Sequence, residues 1–353
     1  MERSEDTYTF ADDIDRLINL DINRRGVINA LYRAAREKMD GPLVHAAAEM
    51  LVETVRPGSV VMIATGWPDR PWVTPEIGEL DGPPGAALLA RSLHVALGAV
   101  PIFLIERQLS PSMAAAARGA GFAVLTPEEA VKAACSRAPL HAAAVIDFPT
   151  DMDSAGLESK RLIDVYEPKA VISVEKGSAN EKGVIHNARG EDTTEYMAKV
   201  DELVKVAREA GIATIGIGDG GNEIGMGTIR DAVRREVPFG AECSCGCGSG
   251  IAPVVETDVL VTAGVSNWGC YGVAACLSVM TKRLGALHDE AMELRTLREA
   301  ADAGLIDGNT GWVDPGADGI AAVTHAAIVT LLRQIVRNAL SPSGLALETG
   351  ENK

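Results

Sequence analysis

Ile212-Ala-Thr-Ile-Gly-Ile-Gly-Asp-Gly-Gly-Asn-Glu-Ile-Gly-Met-Gly227 decides the architecture of this 353-residue chain. Its first six residues form an apolar, β-branched run that reads as a strand. Upstream, Thr193–Ala210 reads as a helix stopped by Gly211, and downstream six glycines fall within Gly216–Gly227. The same order of helix, strand and loop repeats outward in both directions. Strand-like runs occur at Ser59–Ala64, Val100–Ile105, Phe122–Leu125, Ala142–Ile146, Ala170–Val174 and Val259–Thr262. Helices are expected at Gly85–Leu97, Ser112–Ala120, Pro127–Arg137 and Gly156–Tyr166, the third announced by Thr126, Pro127 and Glu129. The apolar runs are continuous rather than alternating, as in strands covered on both faces. The expected fold class is therefore α/β: a mostly parallel sheet with helices on both faces, in three layers. Roughly the first 55 and last 70 residues read as helical, with Ile320–Leu340 a closing amphipathic helix. Residues 1–340 read as a single domain and residues 341–353 as a polar, frayed tail.

Composition narrows the function. Thirty-three Lys and Arg face 49 Asp and Glu, a net charge of −16. That balance excludes a phosphate-neutralising nucleic-acid surface and a polybasic membrane anchor. No apolar run approaches the ~18–20 residues of a membrane span. The acidic stretch Met1–Asp15 has no secretory or transit character, so the expected location is cytoplasmic. Six cysteines are too few for a disulfide scaffold at this length. The expected partner is a small anionic substrate, and a homo-oligomer is left open.

Ligands of parallel α/β sheets sit at the carboxyl ends of strands, which directs attention to the loops after Ala64, Val174, Ile217 and Thr262. The glycine loop carries Asp219, Asn222 and Glu223, oxygen donors suited to Mg²⁺ or Mn²⁺, with the backbone of Gly220 and Gly221 between them. Gly216, Gly218 and Gly221 formally match a dinucleotide fingerprint, but no helix follows directly and two more glycines do. A tight turn with solvated acids is the remaining alternative. After Val174 come Glu175, Lys182, Asn187 and Arg189, the last able to clamp a carboxylate; Lys176 and Glu181 read as solvated. Thr65, Gly66 and Trp67 follow the first strand, and Asp81 either caps the next helix or faces the site. Ser266 and Asn267 precede a helix expected at Cys270–Arg283, as substrate contacts or caps, and Trp268 reads as packing. Cys243, Cys245 and Cys247 point to a soft metal such as zinc, but the spacing is not that of a usual ligand pair. A flexible loop is the competing reading there, with His186 structural and Cys270 and Cys276 buried.

Thr65-Gly-Trp67, Asp81-Gly-Pro83, Glu175, Asn187-Ala-Arg-Gly190, Gly218–Gly227 and Ser266-Asn-Trp-Gly269 together resemble the C-terminal domain of the D-glutamate cyclases, a domain also found as stand-alone bacterial proteins. The likeness runs from about Ile14 to Leu340; Leu80 departs from it, and the cysteine cluster is outside it. It implies an α/β fold, a divalent metal (Mn or Mg), and a lyase that dehydrates D-glutamate to 5-oxo-D-proline. On that footing Asp219, Glu223 and Glu175 are expected to hold the ion with help from Asn222, making Asp81, Glu175 and Asp219 the catalytic acids. Asp81 or Glu175 would take the amine proton and Arg189 would hold the α-carboxylate. Thr65, Gly66, Lys182, Asn187, Gly220, Gly221, Ser266 and Asn267 would line the substrate. A Mn/Mg-dependent phosphohydrolase and a non-catalytic small-molecule sensor are the alternatives.

Overall fold

Seven strands form one sheet in the order β3-β4-β2-β1-β5-β6-β7, every neighbour parallel, in a computed structural model that describes residues 5–341. The strands are β1 (Val60–Thr65), β2 (Val100–Ile105), β3 (Ala123–Leu125), β4 (Ala142–Asp147), β5 (Ala170–Val174), β6 (Ala213–Gly218) and β7 (Val259–Thr262). Each lies within a residue or so of its expected position. The central strands β1, β2, β5 and β6 are buried along their whole length, which explains their unbroken apolar sequences.

Twelve α-helices surround the sheet among the described residues. They are α1 (Glu5–Ile18), α2 (Ile28–Met39), α3 (Leu43–Thr54), α4 (Pro83–Leu97), α5 (Ser110–Gly119), α6 (Pro127–Ala133), α7 (Met152–Tyr166), α8 (Val200–Glu209), α9 (Arg230–Glu236), α10 (Ser266–Met280), α11 (Glu290–Asp302) and α12 (Ala322–Leu340). Val61 and Ile63 point into a core shared with α3, α4, α5 and α10, while Val60, Met62 and Ala64 point into a second core with α6, α7 and α8. Alternate residues of one strand thus serve opposite layers, giving the expected three-layer arrangement. Helix α10 is buried from Ser266 to Ser278 because α3, α4, α12 and α1 all pack on it. Thr126 and Glu129 form the expected capping box of α6, and no described helix is long and apolar enough to cross a membrane.

Four helices differ from expectation by several residues; α6 stops at Ala133 rather than Arg137, and α7 starts at Met152 rather than Gly156. The one foreseen from Thr193 starts only at Val200, because residues 193–199 form a turn tied to distant segments: Thr193 N–H donates to Ile185 O, Ala198 N–H to a Glu106 carboxylate oxygen and Lys199 N–H to Pro149 O. The one foreseen at Cys270–Arg283 starts at Ser266, where a distant carboxylate receives its first amides. The tail beyond Ser341 lies outside the described residues.

The sheet order reverses at β1, whose neighbours are β2 on one side and β5 on the other. Connections leave that point toward opposite faces, opening a crevice at the carboxyl ends of β1 and β5. Register pairs Thr65 with Val174 and Val174 with Ile217, so Gly66, Glu175 and Gly218 emerge at one level.

Candidate metal centre

Three buried carboxylates meet at that crevice. Asp81, Glu175 and Asp219 each offer an oxygen, all within 4.8 Å of one another. Glu175 is the first residue after β5 and adopts φ +44°, a left-handed conformation that costs a non-glycine residue roughly 1–2 kcal/mol. Such strain at a strand end is characteristic of functional positions. Its Oε2 accepts the Ser266 hydroxyl at 2.5 Å. Gly82, at φ +104°, passes so close that a Cβ there would lie 2.8 Å from Thr65 Oγ1 and 2.9 Å from Glu175 Cβ.

Asp81 precedes α4 but does not cap it. Its carboxylate accepts the Ser266 and Asn267 N–H groups at the start of α10, at 2.9 and 2.8 Å. Asn267 returns the arrangement: its Oδ1 accepts the Gly82 and Gly85 N–H groups at the start of α4, at 3.1 and 2.7 Å. Gly85 is required for this approach, since a Cβ would sit 2.5 Å from Asn267 Oδ1. The crossed caps bring two helix N-termini, with their partial positive charge, to one carboxylate cluster. Asn267 is therefore occupied with the fold, its Nδ2 donating to Leu80 O.

Glu223 does not join the cluster. One of its oxygens accepts the Asp219 and Gly220 N–H groups and the other accepts that of Gly221 at 2.7 Å. The glycine loop thus wraps its own carboxylate, and the third acid beside Glu175 and Asp219 is Asp81 rather than the expected Glu223. Gly220 and Gly221 act through these amides, and the anion-receiving nest a dinucleotide phosphate would use is already filled. Asn222 lines the cleft while its Nδ2 donates to His186 O at 2.8 Å.

Carboxylates outnumber cations around the cluster. Arg25, from the α1–α2 connection, reaches Asp219 at 2.9 Å and Asp318 at 3.8 Å. Glu79 and Asp318 also face the same cleft of about 150 Å³. Burial, then Asp219, raises the Asp81 carboxyl to about 8 despite the amides of Asn267 and Ser266. Burial and the surrounding acids Asp219, Glu223, Asp81 and Glu79 hold Glu175 well above the carboxylate range. Asp219 is likewise raised, chiefly by burial, with Arg25 opposing; Asp318 is raised to about 7 by burial and Asp81. Glu79 is raised by burial and by four nearby carboxyls. An all-oxygen donor set whose acids resist ionising side by side, and would do so readily only with a cation among them, fits a hard divalent ion. Thr65 Oγ1, buried without a hydrogen-bond partner among the described residues, borders the same spot.

A sequence description of the family termed D-glutamate cyclase-like, C-terminal, matches residues 14–333. The chain belongs to the D-glutamate cyclase-like family. It is similar to the human protein named D-glutamate cyclase, mitochondrial, with 27% identity over 304 residues, 85% of this chain and 42% of that relative. The chain thus spans less than half the length of the curated relative it matches.

Within this cyclase-like domain the remaining expected residues separate by depth. Asn187, Ala188, Arg189 and the exposed Trp72 line the outer part of the cleft and the buried Trp67 its wall, although the Asn187 side chain also closes its own turn with Glu191 and Arg189 N–H. Thr65, Gly66, Ser266 and Asn267 lie beneath the cleft lining rather than in it, and Lys182 is exposed outside it. Lys176, read as solvated, is fully buried: it pairs with Glu106 and donates to Gly66 O, tying the β1 turn to the β5 loop. Burial lowers its pKa, with Glu106 opposing. Arg25, Glu79 and Asp318 went unnoticed in the sequence; isolated charged residues carry no local signal, and only the fold brings them together.

Proposed function

We propose that the protein binds a divalent cation, Mg²⁺ or Mn²⁺, through Asp81, Glu175 and Asp219, and dehydrates D-glutamate to 5-oxo-D-proline. The observation that carries this reading is the buried three-carboxylate cluster at the sheet's switch point, in a chain of the cyclase-like family. In the reaction the α-nitrogen forms a bond to the carbon of the γ-carboxylate, and one oxygen of that carboxylate departs as water with the two protons shed by the nitrogen. When bound, the ion supplies Lewis acidity that polarises the γ-carboxylate.

The chain's own groups do the rest. Arg189 at the mouth holds the α-carboxylate by paired hydrogen bonds, and Arg25 deeper in balances part of the acidic charge. Glu79 faces the cleft outside the ligand trio, and its elevated proton affinity suits a group that draws a proton from the substrate ammonium. Trp72 at the exposed side and the buried Trp67 in the wall restrict water in the cleft. Ser266 fixes the Glu175 carboxylate through its hydroxyl. The test is incubation with D- or L-glutamate and each divalent ion, followed by chiral separation of 5-oxoproline. Turnover of the D-enantiomer, abolished by chelation, is expected; absence of product with every ion overturns the cyclase assignment.

A further inference from the structure

We propose that Cys243, Cys245, Cys247 and His186 form a second metal site, a closed tetrahedral centre for a soft ion of the zinc class that fastens the Arg189 loop to the body of the protein. The three thiols belong to the irregular segment between α9 and β7, and His186 comes from the loop after β5. Cys243 Sγ lies 3.3 Å from both Cys245 Sγ and Cys247 Sγ. His186 Nε2 lies 3.2 Å from Cys245 Sγ and 3.7 Å from Cys247 Sγ. All four donor atoms fall within 4.8 Å of one another.

Those spacings match a metal shell better than thiol chemistry. Bonds of about 2.3 Å to sulfur and 2.0 Å to nitrogen place tetrahedral donors about 3.5–3.8 Å apart. A disulfide needs sulfurs at about 2.05 Å, and three thiols cannot all pair among themselves. His186 is fully buried, and its Nδ1 has no hydrogen-bond partner among the described residues, so the sulfurs are the ring's polar contacts. The sequence obscured this site because the C-x-C-x-C run lacks a second pair, and its fourth ligand lies 57 residues upstream of Cys243.

Three strands of argument assign the role. Four protein ligands leave no open position, which marks a structural centre. Ser244, between two of the cysteines, donates from its N–H to Gly190 O and from its hydroxyl to Arg189 O, both at 3.1 Å. The carbonyl of His186 accepts Asn222 from the glycine loop. An ion there would therefore connect the turn bearing Arg189 to the rim of the carboxylate cleft.

The test uses the full chain purified under reductant without chelator. Metal analysis is expected to find one zinc per chain, retained in E175Q and lost in C243S and C245S. Replacement by Co²⁺ is expected to give the intense visible bands and sulfur-to-cobalt charge transfer of a tetrahedral thiolate site. That measurement on the unsubstituted protein does not depend on whether the variants fold. Failure of the reduced, zinc-free chain to develop those bands overturns the proposal, as does full zinc content in a C243S/C245S double variant. A disulfide within the cluster in the protein as isolated would overturn it equally.

Discussion

Replacing Glu223 by Gln separates a loop-building carboxylate from a metal ligand. In the wild-type loop one Glu223 oxygen accepts two backbone amides and the other accepts the Gly221 amide. A glutamine keeps at most the first pair by placing its carbonyl there, and then turns an NH₂ toward the buried Gly221 N–H. One unsatisfied donor costs about 1–3 kcal/mol, and converting two charge-assisted bonds to neutral ones costs about 1 kcal/mol more. The expected loss is about 3 kcal/mol. For 353 residues the unfolding entropy is about 0.7 kcal/mol/K, so the melting temperature should fall by about 4 °C. Thermal melts followed by circular dichroism, with chelator and with Mn²⁺, read both roles at once. The drop should appear in chelator, and Mn²⁺ should still stabilise the variant. A variant that melts within about 1 °C of wild type in chelator but no longer responds to Mn²⁺ would refute the reasoning and return Glu223 to the ligand set.

Glu175→Gln is expected to behave in the opposite way: it removes a like charge from the cluster, so the metal-free melting temperature should hold or rise while the Mn²⁺-induced shift is lost. The pH dependence follows from the raised carboxyls. With the Asp81 carboxyl at about 8 in the folded chain and near 4 when unfolded, the folded state binds more protons between those values. The contribution of Asp81 to metal-free stability is therefore full below about pH 4 and lost as pH rises through about 8. Cation affinity moves the other way, gaining about tenfold per pH unit up to about 8 for each proton displaced, and calorimetric titration with Mn²⁺ across pH 6–9 checks it. Lys176→Met leaves Glu106 buried and unpaired, and should cost about 3–5 kcal/mol in chemical denaturation, with most of it recovered in K176M/E106Q. Arg189→Lys should raise KM for the dicarboxylate by about tenfold or more with a smaller change in kcat, because an ammonium cannot reproduce the two-point grip.

Strand and helix assignment needed little beyond local pattern. Continuous apolar runs at Val60–Thr65, Ala170–Val174 and Ala213–Gly218 are read from neighbours in sequence, and the glycine loop after β6 is marked by composition alone. The candidacy of Asp81, Glu175 and Asp219 was likewise visible, since each stands beside a strand end or a helix start. Their division of labour was not. Glu223 shares its loop with Asp219, yet a side chain one turn away is well placed to accept that loop's own amides, and only coordinates show which carboxylate turns inward. Asp81 stands before α4 but caps α10, 185 residues later, because the switch point brings both helix N-termini together. Arg25, 194 residues from Asp219, and His186, drawn onto three distant thiols, have no local signature at all. Backbone periodicity is a short-range property that the chain carries in its letters. The charge balance of a buried cluster depends on which distant segments the packed layers press together, and tertiary structure alone decides that.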